Sequence, residues 1–368
     1  MVRLAMVGLG KMGLSHYGMI NAHPGIKVEA VCDSTGYVLD VLNKYTGIRT
    51  YADFDQMLQE VELDAVIISI PTRMHAALVQ RALEKNLHVF CEKPFCLSTK
   101  DGEELTRIAN EKGLVNQVGY HNRFIGTFQE IKRLLDAGAI GEVTHILAEA
   151  YGPVVLKSKG STWRTQSFEG GGCLYDYAAH PLNLVNWYLG APLDVGGSVL
   201  NKIFSKDTED EVFSTLYYED GKTAHISVNW SDESYRKMTT RITIWGTNGR
   251  IFADRQECQV YLRDMADIPE GYQPGWNVRY TTELTEPVWF YLRGEEYSAQ
   301  LDYFVKCIEE KRPDENVNSF KAATMTDRVI ALIIADAARR SSLGCSETII
   351  EGQRKKKGFF FGIRRPAS

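Results

Sequence analysis

The sequence predicts an α/β protein of two units: a doubly wound parallel sheet first, then an α+β unit on a mostly antiparallel sheet. Three observations carry this. Up to about residue 124, nearly continuous apolar runs alternate with amphipathic segments, the signature of parallel strands covered on both faces by helices. Beyond that point the pattern changes to long strands, two of them ending at the hairpin dipeptides Asp220-Gly221 and Asn248-Gly249. The length, 368 residues, exceeds what one hydrophobic core usually supports.

The elements follow in order. RLAMVG, residues 3–8, is a short buried strand; LGKMGLSHYGMINAH is a helix behind a glycine turn; IKVEAVCD, after Pro24, is the second strand. Then come YADFDQMLQE (helix), LDAVIISIP (strand), MHAALVQRALEKN (helix), HVFCEKP (strand), TKDGEELTRIANEKG (helix) and VNQVGY (strand). TFQEIKRLLDAGAIG is a helix stopped by glycine. EVTHILAEAYG, DVGGSVLNKIF, DEVFSTLYYED, KTAHISVNWSD, KMTTRITIWGT and GRIFADRQECQVYLR are strands. Asp264 to Glu295, rich in proline, glycine and aromatics without a period, reads as an inserted loop or arm. Two helices close the chain, YSAQLDYFVKCIEEK and FKAATMTDRVIALIIADAARRSS, and the apolar spacing of the second suits docking back on the first unit. The expected units are residues 1–122, 123–345 and a basic tail, 346–368.

Composition narrows the class. Hydrophobic residues at 44% and charged residues at 24% suit a folded soluble protein and exclude a mainly disordered one. Seven cysteines without CxxC or Cys/His spacing suggest neither a disulfide framework nor a metal site, and a reducing cytoplasm is the expected compartment. No apolar run approaches a membrane span, and the N-terminus lacks the layout of a cleavable signal. The net charge is −5, yet the last 16 residues carry six basic and no acidic side chains, which leaves −11 for the rest and argues against nucleic acid as a partner. Phe359 to Phe361 between those basic clusters offer a contact with an anionic membrane surface; a frayed terminus is the alternative.

Chemistry is concentrated in three places. Gly8-Leu9-Gly10-Lys11-Met12-Gly13 joins the first strand to the first helix, and Asp33 ends the second strand twenty residues on. The first glycine permits the turn, the second lets backbone N–H groups approach a pyrophosphate at the helix N-terminus, and the third lets helix pack on strand. A carboxylate at Asp33 accepts both ribose hydroxyls of NAD and repels the 2′-phosphate of NADP, so NAD is the expected cofactor. The second place is CEKPF, where Glu92, Lys93 and Pro94 fall at the ligand-binding edge of a parallel sheet. Lys93 there is an acid/base candidate that Glu92 orients, unless it is a solvated strand-end charge. The third is GGGCLYDYAAHPLNLVNW, in which Asp176 and His180 stand four residues apart, one helical face if the helix is unbroken. A hydrogen-bonded core histidine is the plainer alternative.

GLGKMG, Asp33, SIPTRMHAALVQRALEKNLHVFCEKP, VGYHNRF and GGGCLYDYAAH stand in the order and spacing of the glucose-fructose oxidoreductase, inositol dehydrogenase and rhizopine-catabolism family, Gfo/Idh/MocA, which the chain resembles over nearly its whole length. The resemblance implies a Rossmann domain and a second domain whose open sheet supports the substrate site and homo-oligomer contacts, a dimer or tetramer. It implies hydride transfer to or from a hydroxyl-bearing carbon of a sugar, cyclitol or nucleotide-sugar. Lys93 and His180 match the two acid/base positions, and Asp176 the aspartate that orients substrate or histidine. Ser69, Pro71 and His75 match cofactor-side positions. His121, Arg123, Trp163, Arg164 and Asn183 match substrate-side positions. Apart from the resemblance, Arg123, Arg164, Lys157 and Lys159 are cations suited to an anionic substrate group, a solvated surface being an equal alternative for the two lysines.

The chain also departs from that pattern. Ile70 precedes Pro71 where threonine is frequent, His121 stands where asparagine is usual, and Asn183 replaces a carboxylate. Pro181 follows His180 and has no N–H for a helical bond to Tyr177. Either the helix kinks there or it begins at Pro181, and in the second case Asp176 and His180 need not share a face. Three functions are compatible with these residues: an NAD-dependent dehydrogenase or reductase; a glycoside-cleaving enzyme that oxidises its sugar transiently and eliminates; and a non-catalytic dinucleotide-binding regulator, which would have no use for the acid/base groups.

Overall fold

The computed structural model describes residues 1–154, 163–264, 268–313 and 316–342. The first sheet contains β1 (Val2–Val7), β2 (Ile26–Cys32), β3 (Arg49–Tyr51), β4 (Ala65–Ile68), β5 (His88–Cys91) and β6 (Asn116–Val118), all parallel, in the order β3-β2-β1-β4-β5-β6. That order reverses beside β1, which opens a crevice at the carboxyl ends of β1 and β4. Helices α1 (Lys11–Ile20), α2 (Gly36–Thr46), α3 (Phe54–Glu60), α4 (His75–Glu84) and α5 (Thr99–Glu111) make the connections. All of β4 and β6 and most of β1 are buried, as strands covered on both faces must be. Asp53 caps α3 by accepting the Gln56 N–H at 2.7 Å.

After α6 (Gly126–Asp136) comes the second sheet: β7 (Val143–Tyr151), β8 (Asp194–Asn201), β9 (Glu211–Tyr217), β10 (Thr223–Asn229), β11 (Thr239–Gly246), β12 (Gly249–Ala253), β13 (Glu257–Leu262) and β14 (Gly275–Tyr280). Its order is β14-β13-β12-β11-β7-β10-β9-β8, antiparallel except for the β7–β10 pair. Burial alternates along β7, β9 and β10, so one face packs on helices and the other is open. The helix Ala179–Leu189 lies under the sheet, and the last helix, Phe320–Ser342, packs on it, on β8 and on α5 of the first unit. Asn116 Oδ1, at the start of β6, accepts the Phe320 N–H at 2.7 Å, pinning that helix to the first sheet.

The sequence reading passes over α2 and β3 and runs β12 and β13 together. Three-residue β3 pairs only at the sheet edge and carries no period of its own. Between β12 and β13, Asp254 Oδ1 accepts the N–H groups of Gln256 at 2.7 Å and Glu257 at 3.2 Å, a side-chain turn that reverses the chain. The arm expected as irregular contains β14, which pairs with β13, and a short helix, Thr281–Leu284. It then crosses to the first unit, where Trp289 Nε1 donates to the Met19 carbonyl and Arg293 to Ser15 Oγ. Among the described residues no helix is long and apolar enough to cross a membrane, and no group of side chains is arranged to hold a metal. The tail 346–368, with Phe359 to Phe361, lies outside the described residues, as do Lys157 and Lys159.

Candidate active site

At the end of β1, Gly8 turns the chain with φ +87°, and a Cβ on it would lie 2.4 Å from the Ser69 carbonyl oxygen. A Cβ on Gly13 would lie 1.8 Å from the Gly8 carbonyl, so α1 rests directly on the turn. Gly10 differs, because a Cβ there would meet nothing within 4 Å. The space above the start of α1 is open, and neither a side-chain cap nor an acidic residue occupies the first turn, which suits an anion. Lys11 and Met12 complete that turn. Asp33, at the end of β2, accepts the Leu9 N–H at 2.5 Å and the Thr35 N–H at 2.7 Å, which fixes its carboxylate beside the glycine turn. An open phosphate cradle with an anchored acid at the next strand end fits NAD.

Ser69 and Pro71 follow β4, the strand beside β1. Ser69 packs on Gly13, with its Oγ buried and unpartnered. His75, expected on the cofactor, is 1% exposed and directs both ring nitrogens at backbone carbonyls: Nε2 at Ile70 (2.9 Å), Nδ1 at Pro94 (3.0 Å) and Phe95 (3.1 Å). It sits between the loop after β4 and the loop after β5; burial lowers its pKa, and the neutral ring donates to the carbonyls of one of them. Its effect on a cofactor therefore passes through those loops. Glu92 Oε1 lies 2.6 Å from His16 Nε2, and Oε2 accepts the Lys93 N–H at 3.2 Å. Burial pushes the Glu92 pKa up, but the bond to His16 together with the charges of His16, Lys93 and His121 outweighs it and holds the pKa below the ordinary value.

Lys93 is no solvated charge. Its side chain is 13% exposed, and Nζ donates to Asp176 Oδ1 at 2.8 Å and to the Asp176 carbonyl at 2.9 Å. Arg164 Nε donates to the other carboxylate oxygen at 2.8 Å, and its guanidinium lies over the Trp163 ring, 4.7 Å from the centroid. Burial alone would raise the Asp176 pKa; the charges of Lys93 and Arg164 hold it at about 2. Gly171 permits this packing, since a Cβ there would lie 2.4 Å from the Arg164 carbonyl.

Neither expected consequence of Pro181 occurs in simple form. Residues Leu174–Ala178 form a π-helical turn, Ala179 donating to the Leu174 carbonyl five residues back, and the helix Ala179–Leu189 continues from it through Pro181. The wider turn directs the Asp176 carboxylate to Lys93 and Arg164, and no described residue hydrogen-bonds His180. His180 is 3% exposed, with Nδ1 buried and unpartnered, and its ring centroid lies 4.9 Å from that of His121. Burial, then the Lys93 charge, lower its pKa well below the ordinary value, so it is neutral. His121 is lowered likewise by burial and by His180, and stacks on Tyr297 at 4.4 Å.

Arg123 and Asn183 do not face this site. Both are buried: Arg123 donates to Asn183 Oδ1 (2.7 Å), to the Asn183 carbonyl (3.0 Å) and to the Val317 carbonyl, and its guanidinium lies over Trp187. They tie the helix Ala179–Leu189 to the segment before the last helix and leave no donor fork for a substrate. His16, Tyr297 and Asp327 are absent from the sequence reading. His16 carried a usable signal, lying three residues after Gly13 on the same face of α1. Tyr297 and Asp327 carried none, because their partners His121 and Cys96 are far away in sequence.

Comparison with known proteins agrees with this fold. The scyllo-inositol 2-dehydrogenase (NAD(+)) of Bacillus subtilis is 28% identical over 83% of this chain and 86% of its own length. The 2,7-anhydro-N-acetylneuraminate hydratase of Escherichia coli is 27% identical over 72% of this chain and 70% of its own. A levoglucosan dehydrogenase solved with NADH and levoglucosan superposes with a TM-score of 0.81 at 20% identity, covering 92% of this chain and 97% of that one, and shares the fold. Residues 2–120 match the model of the GFO/IDH/MocA oxidoreductase family with its NAD-binding Rossmann fold and residues 128–252 match its C-terminal domain, so the chain belongs to that family.

Proposed function

We propose that this oxidoreductase transfers hydride between NAD and a hydroxyl-bearing carbon of a sugar or cyclitol, with Lys93 and His180 handling the proton. The observation that carries the reading is the placement of Lys93 at the ligand edge of the first sheet, anchored by Asp176 on the π turn that leads into the helix bearing His180, whose imidazole no described residue hydrogen-bonds. The backbone of Gly8 to Gly13 would hold NAD and Asp33 would take its ribose, and the bound group would supply the hydride acceptor. Removing hydride from an alcohol carbon requires that the hydroxyl proton leave too. Neutral His180 can accept that proton, while the Lys93 ammonium donates a hydrogen bond to the same oxygen and stabilises its developing negative charge. Asp176 and Arg164 hold the ammonium in place, and Trp163 supports Arg164. The named substrates of the inositol and levoglucosan dehydrogenases, both polyols, favour a polyol here.

The test is NADH production from NAD+ with scyllo-inositol, myo-inositol, levoglucosan and nucleotide-linked sugars. Lys93→Ala and His180→Ala should each lower turnover at least about 100-fold while NADH binding persists. Turnover that survives both changes refutes the roles. The relative named as a hydratase favours a second reading, transient oxidation followed by elimination. That reading predicts product without NADH accumulation and deuterium uptake from solvent.

We also infer a homo-oligomer formed through the open face of the second sheet. There the strand registers align His145, Trp245, Arg250, Tyr261 and Trp276 in one row, with Trp276 55% exposed. A monomer in light scattering refutes this. The six described cysteines are buried thiols, which supports a reducing, cytoplasmic setting.

A further inference from the structure

We infer that His16 is a positioning residue for the proton-handling lysine: from the nucleotide-binding helix it holds the Glu92 carboxylate, which in turn holds the Lys93 main chain. The inference rests on the proposed role of Lys93.

β5 ends at Cys91, and the Glu92 N–H still donates to the Ile68 carbonyl of β4 at 2.9 Å. The next N–H, that of Lys93, has left the ladder and is accepted instead by Glu92 Oε2 at 3.2 Å. A flexible side chain serves as a fixed acceptor only when its other contacts hold it still. Here the second oxygen, Oε1, lies 2.6 Å from His16 Nε2. Gly119, just after β6, narrows the space further, since a Cβ there would lie 3.0 Å from both carboxylate oxygens. His16 is fully buried and packs edge-on against Phe90, ring centroids 5.4 Å apart. Its Nδ1 has no partner among the described residues, so the ring's hydrogen bond is the one to Glu92. The Glu92 side chain is 12% exposed, which leaves little water to replace a lost imidazole.

Lys93 is therefore tied at both ends. Asp176 takes the ammonium, with bonds of 2.8 and 2.9 Å, and Glu92 takes the main-chain N–H. Gly13 seats α1 on the glycine turn, and His16 follows three residues later on the same helix. The pyrophosphate cradle and the anchor of the lysine thus belong to one rigid element, and the distance between them is set before any ligand arrives.

Two variants separate the hydrogen bond from the bulk of the ring. His16→Leu removes the bond and keeps an apolar group against Phe90, while His16→Gln supplies an amide N–H in place of Nε2–H. Each is compared with wild type by NADH fluorescence titration, by kcat and KM with NAD+ and scyllo-inositol, myo-inositol or levoglucosan, and by crystallography; His16→Leu is also made in a Glu92→Ala background. His16→Leu should keep NADH affinity and polyol KM within about threefold of wild type but lose about 10- to 100-fold in kcat. In its crystal structure Lys93 should be displaced by about 0.5 Å or more. His16→Gln should recover most of the lost kcat. With Glu92→Ala the link is already cut, and adding His16→Leu should change kcat by less than about twofold. A His16→Leu protein with Lys93 unmoved overturns the inference, as does a glutamine variant as impaired as the leucine, or an equal loss in both backgrounds. If wild type oxidises none of these polyols, the substrate reading fails, while the variant crystal structures still decide whether His16 sets Lys93.

Discussion

Two glycines of the nucleotide turn should respond oppositely to the same methyl group. In Gly13→Ala the new Cβ starts 1.8 Å from the Gly8 carbonyl oxygen, so α1 must retreat by roughly 1.6 Å to restore an ordinary contact. The atom it meets is backbone at the end of a buried strand, which cannot swing aside. A loss of about 3 kcal/mol in stability is expected, with NADH binding lost as well. In Gly10→Ala the Cβ meets no atom within 4 Å, and the backbone, φ −63° and ψ −173°, suits alanine. Stability should stay within about 0.5 kcal/mol of wild type. The methyl instead enters the space assigned to the pyrophosphate, and NADH should bind at least about 30-fold more weakly, near 2 kcal/mol. Urea unfolding and fluorescence titration measure the two quantities separately. A Gly10→Ala protein that binds NADH as wild type does refutes the placement of the cofactor, and a fully stable Gly13→Ala refutes the helix contact.

Asp33→Ala should lower the preference for NAD over NADP by at least about tenfold, read from the two dissociation constants, because the charge opposing a 2′-phosphate is gone. Arg123→Met leaves two buried acceptors on Asn183 and a partly buried one on Val317 without their donor and should cost about 3 kcal/mol in urea unfolding, while kcat of the folded enzyme stays within about twofold; a specific loss of substrate affinity would return Arg123 to the substrate site. Asp327 accepts the Cys96 N–H, and burial raises its pKa to about 8 against the bonds from Cys96 and Phe95. A carboxyl raised in the folded state contributes stability in full below its unfolded pKa, near 4, and loses it as pH rises towards 8. Wild type should therefore weaken relative to Asp327→Asn between pH 5 and 8 by up to about 1.4 kcal/mol per unit; parallel melting curves across that range refute the shift.

The nucleotide site was legible because it is local. A strand, a glycine turn, a helix and an acid at the next strand end lie within one short stretch, and backbone sterics force their arrangement whatever surrounds them. The alternation that separated parallel from antiparallel sheet was legible for the same reason, since burial on two faces or one is written into each strand. The substrate side was legible only as residue types. Lys93, Asp176 and His180 were identified as the acid/base set, yet the helix spacing paired Asp176 with His180, whereas the carboxylate pairs with Lys93 and Arg164. Arg123 and His75 carry the right chemistry for ligands but turn it to backbone carbonyls.

What the sequence determined by itself was the sheet order's local units, the cofactor cradle and the chemical groups available for proton transfer. Tertiary structure decided which of those groups meet. Lys93 and Asp176 are 83 residues apart and Asp327 and Cys96 are 231 apart, and a contact across such separations depends on how the two sheets and the last helix pack. Asp176 shows both levels at one position: its carboxylate is a property of the sequence, but that it should face Lys93 and Arg164 is a property of the fold.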